Sequence, residues 1–119
     1  MEDVGMSEGS PQIRPVVASR PCATMDEVRA EIDRLDRLLV PLIAERLAYV
    51  AQAARHKPTR ADVVVPWRIE EVVAKVRECA MAIGADADTI EQIWRSLMAI
   101  SIDWEAWHFD RREARPSGR

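Results

Sequence analysis

The stretch TMDEVRAEIDRLDRLLVPLIAERLAYVAQAARHK, residues 24–57, decides the fold. Thr24-Met25-Asp26-Glu27 has the form of a capping box, with Thr24 as N-cap and Glu27 three positions on. Apolar residues then recur at Val28, Ile32, Leu35, Leu39, Leu42 and Ile43, Leu47, Val50, Ala51 and Ala54, in steps of three and four. That period is helical. The pattern predicts a first helix running to about Lys57, just before Pro58, roughly 50 Å long at 1.5 Å per residue. Pro41 conflicts with it, because a proline inside a helix removes one hydrogen bond and costs about 3 kcal/mol. The stripe keeps its phase across Pro41, which favours a kinked helix over two separate ones.

Working outward, Pro66 suits the first position of a second helix. Ile69, Val72, Val73, Val76, Ala80 and Ile83 form its stripe, and Gly84 suits its C-terminal stop. Residues 58–65 between them read as a loop. Asp86 or Asp88 caps a third helix, with a stripe of Ile90, Ile93 and Trp94, Leu97, Ile100 and Ser101, Trp104, Trp107 and His108. The division is an extension over 1–23, rich in proline and small polar residues, a helical domain over 24–110, and a frayed tail over 111–119. The predicted class is all-α, three helices per chain. Neither shorter helix covers a 50 Å apolar stripe from end to end, so a second copy of the chain is the expected cover, as an intertwined homodimer.

Composition narrows the function. The 119 residues carry 17 basic and 20 acidic side chains, net −3, which gives no support to nucleic-acid binding by bulk charge. Four glycines, one tyrosine and one phenylalanine are a poor supply for a β-sandwich or barrel. No run approaches 18 apolar residues, and the acidic, polar start is wrong for a signal peptide, so no membrane partner is expected. Cys22 and Cys79 form no CxxC pair and, with His56 and His108, leave no plausible metal site. The compartment expected is the reducing cytoplasm. The histidines read as surface or cap residues, and the tryptophans as core or interface.

Three basic residues stand apart from the solvated majority. Arg46 and Lys57 are eleven positions apart, which brings them within about 20° of each other around a helix and roughly 16 Å apart along it. They are placed to grip a small anion. Arg29 lies roughly 100° away around the helix from Arg46, so it does not join them within one chain. In an antiparallel dimer, Arg29 of one copy approaches Arg46 and Lys57 of the other. On the third helix Ser101 and Glu105 share a face at i,i+4. A carboxylate there, beside Ile102 and Trp104, is costly unless paired or protonated. Arg68 opens the second helix.

Val28-Arg29-Ala30-Glu31-Ile32-Asp33-Arg34-Leu35-Asp36, Ala44-Glu45-Arg46 and Ala54-Arg55-His56-Lys57 together resemble the all-helical chorismate mutases and their relatives that cleave isochorismate. The resemblance covers about residues 25–110. It implies an intertwined helical dimer with two shared sites, each using Arg29 from the partner, and a reaction with no cofactor and no metal. By the resemblance, Arg29 and Arg46 hold the two substrate carboxylates. Lys57 meets a carboxylate and the ether oxygen, Arg68 arrives from the loop–helix junction, Glu105 meets the ether oxygen, and Ser101 sits beside it. These types suit the chemistry. Chorismate is a dianion whose rearrangement to prephenate is pericyclic, so the help required is folding of the side chain and stabilisation of charge growing on the ether oxygen. Glu105 donates there only when protonated, a form that burial near bound carboxylates favours.

The residue after Arg68 is Ile69, where many of these mutases carry a glutamate for the substrate hydroxyl. Val65-Pro66-Trp67-Arg68-Ile69 looks more like the isochorismate pyruvate-lyase branch, which yields salicylate and pyruvate. That branch has a glutamine where Glu105 stands. The expected activity is chorismate mutase, with the lyase, a 4-amino-4-deoxychorismate mutase, and a non-catalytic helical dimerisation module as alternatives. A dimer interface alone does not need Arg29, Arg46, Lys57 and Arg68 together.

Overall fold

The computed structural model describes residues 19–114, with helices at Met25–Ala54 (α1), Pro66–Ala82 (α2) and Ala87–Ala114 (α3) and a 3-10 turn at Arg60–Val63. Among the described residues there is no strand. Most of the expected extension and residues 115–119 of the expected tail lie outside them. The first four residues of that tail, Arg111 to Ala114, are helical and close α3.

α1 is one unbroken helix with Pro41 inside it. Thr24 caps it, its Oγ1 accepting from the Glu27 N–H at 3.1 Å. The Glu27 carboxylate reaches back to the N–H of Ala23 at 2.9 Å, one residue earlier than a strict capping box requires. α1 stops at Ala54, three residues short of the predicted end. Pro58 explains this, because its ring disfavours helical backbone at the preceding residue and it has no N–H to continue the ladder.

The predicted loop over 58–65 contains the 3-10 turn. It is pinned by Asp62, whose Oδ2 accepts from the Thr59 N–H at 3.0 Å and the Thr59 hydroxyl at 2.8 Å. The turn buries Val63 against Ala54 and Phe109, with Ile102 and Ala106 alongside. This small core joins the C-terminal end of α1 to the second half of α3.

The described residues divide into two compact units, one of residues 20–66 with 97–114, the other containing residues 67–96. In the second, Gly84 takes φ 78°, the left-handed conformation that ends α2. Ala85 N–H donates to Ala80 O at 2.8 Å and Gly84 N–H to Met81 O at 3.2 Å, a Schellman stop. Asp86 then caps α3, accepting from the N–H groups of Asp88 and Thr89. Val73 and Ala80 are buried on the predicted α2 stripe. Arg95 bridges Glu91 at 2.7 Å and Glu70 at 3.0 Å, and Arg77 binds Asp88 and Glu91. Hydrogen bonding from Arg95 holds both Glu70 and Glu91 below the ordinary carboxylate range.

The inward face of α3 departs from the expected stripe. Ser101 of that stripe is buried, but with it are Met98, Glu105 and Phe109, while Ile93, Ile100, Trp104 and Trp107 are each at least 40% exposed. The buried series lies about 100° around the helix from the predicted one. On α1 the apolar stripe stands open in the single chain, with Ile32, Leu35, Leu39 and Leu42 all exposed.

Phe109→Ala is expected to lower stability by about 3–5 kcal/mol, the usual cost of removing a buried aromatic ring, measurable by chemical denaturation. Glu70 and Glu91 are bound to Arg95 as carboxylates, so the stability they contribute is present at neutral pH. It is lost as pH falls from the ordinary glutamate range through their depressed values. Thermal unfolding followed against pH is expected to show a shallower acid loss in Arg95→Gln than in the unmodified chain.

Candidate functional site

The unit formed by residues 20–66 and 97–114 gathers four of the residues singled out by the sequence. Arg46 comes from the third quarter of α1, Lys57 from the turn after it, and Ser101 and Glu105 from successive turns of α3. Arg46 Nη1 donates to Ser101 Oγ at 3.2 Å, and Ser101 Oγ donates to Leu97 O at 2.7 Å. Lys57 Nζ lies 2.6 Å from Glu105 Oε2. Two cations from the α1 side therefore face two polar groups stacked one helical turn apart on α3, about 6 Å along its axis.

The Lys57–Glu105 pair is largely withdrawn from water, its side chains 22% and 9% exposed. A buried carboxylate is tolerated when it is paired or when it carries a proton. Here it is paired. The ion pair is charge-assisted and held in a low-dielectric setting, so it is stronger than an exposed one and costly to break from one side.

Lys57 reaches this position differently from the expectation. The helix ends before it, so helical phase with Arg46 does not place it. The turn does, and one further side chain holds that turn. Arg112, on α3, sends Nη1 to Ala54 O at 2.7 Å and to Lys57 O at 2.9 Å. Its guanidinium lies over the Phe109 ring, 4.3 Å from the centroid. The sequence reading assigned Arg112 to a frayed tail. The signal that marks it is the spacing Glu105, Phe109, Arg112, which puts all three on one face of α3.

Arg29 is not part of the cluster within one chain. Its side chain is 69% exposed, with Asp26 at 3.9 Å. Seventeen helical residues separate it from Arg46, about 25 Å along α1. Arg68 and Ile69 belong to the other unit, where Arg68 pairs with Glu71 at 2.8 Å and Ile69 is half-buried.

α3 is also fastened to α1 by Trp104, whose Nε1 donates to Leu47 O at 2.9 Å. His108, expected at the surface, is half-buried, with Trp104 and Trp107 centroids 4.6 and 4.8 Å from its own. Its Nε2 is buried with no hydrogen-bond partner among the described residues. His56 is exposed, as read. An open groove of about 560 Å³ runs between α1 and α3, lined by Ala48, Ala51, Arg55, Trp104 and His108 among others. Arg46, Lys57, Ser101 and Glu105 do not line it. Among the described residues no cluster of His, Cys, Asp or Glu is arranged to hold a metal ion, and no helix is long and apolar enough to cross a membrane.

Residues 28–106 match the family model described as chorismate mutase type II. The chain is 34% identical over 84 residues to a T-protein of Enterobacter agglomerans, covering 70% of this chain and 22% of that protein. It is 27% identical over 77 residues to an isochorismate pyruvate lyase of Pseudomonas aeruginosa, covering 65% of this chain and 76% of the other. The chain thus spans about a fifth of the first relative and three quarters of the second.

Lys57→Ala leaves Glu105 buried without its charged partner and is expected to lower stability by about 1–3 kcal/mol. Adding Glu105→Leu to Lys57→Ala removes the orphaned charge and is expected to recover most of that loss, read from denaturant midpoints of the three variants.

Proposed function

This chain belongs to the chorismate mutase type II family, and on that footing we propose that it rearranges chorismate to prephenate. The observation that carries this reading is the register of Arg46 and Lys57 on Ser101 and Glu105, two cationic ends in one partly buried row. A dianion bearing an enol-pyruvyl ether suits such a row. The Arg46 guanidinium offers a fork to a carboxylate, and its hydrogen bond to Ser101 sets its direction. Lys57 holds a positive charge in a low-dielectric setting, where it stabilises charge growing on the ether oxygen as the C–O bond breaks. Both groups act by position and field, which is what a pericyclic step needs, since it passes through no acyl or alkyl intermediate on the protein. Glu105 orients the ammonium through the ion pair.

The second carboxylate calls for another arginine. Arg29 sits about 25 Å from Arg46 on its own helix, and the apolar stripe between them is open. A second copy laid antiparallel along that stripe covers it and brings Arg29 of the partner subunit to the cluster. In this reading the working protein is a homodimer with two shared sites in the cytoplasm.

Ile69 favours one second reading. An aliphatic residue after Arg68 does not bind a ring hydroxyl as a glutamate does, and the relative from Pseudomonas aeruginosa is named an isochorismate pyruvate lyase. The lyase reaction uses the same cationic frame on an isomeric dianion and ends in salicylate and pyruvate.

Offering chorismate and isochorismate separately decides between them. Prephenate from chorismate is the expected product. Salicylate with pyruvate from isochorismate establishes the second reading, and neither turnover nor binding of either substrate by a folded dimer supports a helical dimerisation module. Arg46→Ala is expected to abolish turnover with helicity unchanged, and Glu105→Gln, a permanent donor, to retain it. Arg29→Ala and Lys57→Ala chains, each inactive alone, are expected to regain activity when mixed, because one site of each heterodimer is then intact.

A further inference from the structure

We propose that Arg112 is a positioning residue that holds Lys57 in register by clamping its backbone to α3. It lies outside residues 28–106, where the family match ends.

Three observations converge on it. α1 has no basic residue in its last turn, although the last carbonyls of a helix are unsatisfied and carry its negative dipole end. Arg112 supplies that charge from another helix, with one Nη1 serving the carbonyls of Ala54 and Lys57 at 2.7 and 2.9 Å. Lys57 itself lies past the helix end and ahead of Pro58, where no helical ladder holds it. The carbonyl bond from Arg112 is thus the contact that ties its backbone down. Finally, Arg112 is itself held, half-buried with its guanidinium over Phe109 in the small core.

The geometry gives the clamp a definite consequence. Glu105 and Arg112 are seven residues apart on α3, which puts them within about 20° around the helix and about 10 Å apart along it. One face of α3 therefore holds Lys57 at both ends, its carbonyl on Arg112 and its ammonium on Glu105. A dianion that draws the ammonium away from Glu105 loosens one of those two holds. The other must stay for the ammonium to meet the substrate from a fixed root.

The chain has two lysines, Lys57 and Lys75, which makes the test direct. Reductive ¹³C-methylation labels both amines, and Lys57→Arg assigns their signals. Arg112→Gln is expected to move and broaden the Lys57 signal and leave the Lys75 signal in place. An unmoved Lys57 signal overturns the proposal, whether or not the protein turns over chorismate.

The kinetic part of the test rests on the mutase reading. There Arg112→Gln is expected to lower kcat on the order of tenfold to a hundredfold, the scale of a displaced reacting group, with a smaller change in KM. Arg112→Lys restores part of the loss, since it keeps a charge at the carbonyls, and it serves as the test variant should Arg112→Gln not fold. A shifted Lys57 signal in a protein that turns over neither substrate leaves the clamp standing and removes the mutase reading instead.

Discussion

A carboxylate placed inside a helical protein requires an opposite charge nearby, and Glu105 states that requirement for this fold. It is buried on α3 with Lys57 Nζ at 2.6 Å. The remaining geometry around it follows from delivering that ammonium. Pro58 ends the helix early enough for the chain to turn, and the turn puts Lys57 against α3. Val63 in the following 3-10 segment plugs the gap between Ala54 and Phe109. Arg112 then takes the Ala54 carbonyl at the end of α1 and the Lys57 carbonyl in the turn beyond it. The same few residues serve as helix cap, core and site.

α1 and α3 solve opposite problems. α1 places its apolar stripe outward in the single chain, while α3 turns Ser101 and Glu105 inward. Either arrangement is unfavourable alone, since exposed aliphatic surface and buried polar groups both cost free energy. Inward polar groups become tolerable because Arg46 and Lys57 meet them. The outward stripe becomes tolerable in the proposed homodimer, where covering it also brings in the missing arginine. Fold and proposed chemistry then make the same demand, a second copy.

The proposed reaction explains why so few side chains are asked to act. A pericyclic step moves electrons within one molecule, so the protein contributes shape and charge rather than a nucleophile. A frame of that kind adapts between isomeric dianions through residues that touch the ring. In the proposed site Ile69 is where the sequence departs from the mutase pattern, and the lyase reading rests on it rather than on the cationic frame.

Periodicity alone was enough for three helices, because apolar spacing, Thr24, Gly84 and Asp86 act locally and within a few residues of what they control. It was also enough to pair Arg46 with Lys57 and Ser101 with Glu105, although the helix whose phase relates the first two ends before Lys57. It failed on most of the inward face of α3, since sorting by apolarity ranks Ile100, Trp104 and Trp107 as core and leaves Glu105 and Arg112 off the stripe. Whether a polar side chain is buried depends on a partner some fifty residues away in the chain, which no local pattern contains. The burial of Val63 and the bond from Arg112 to Lys57 were therefore decided only when the helices packed, because each depends on a contact between distant segments rather than on the propensity of one.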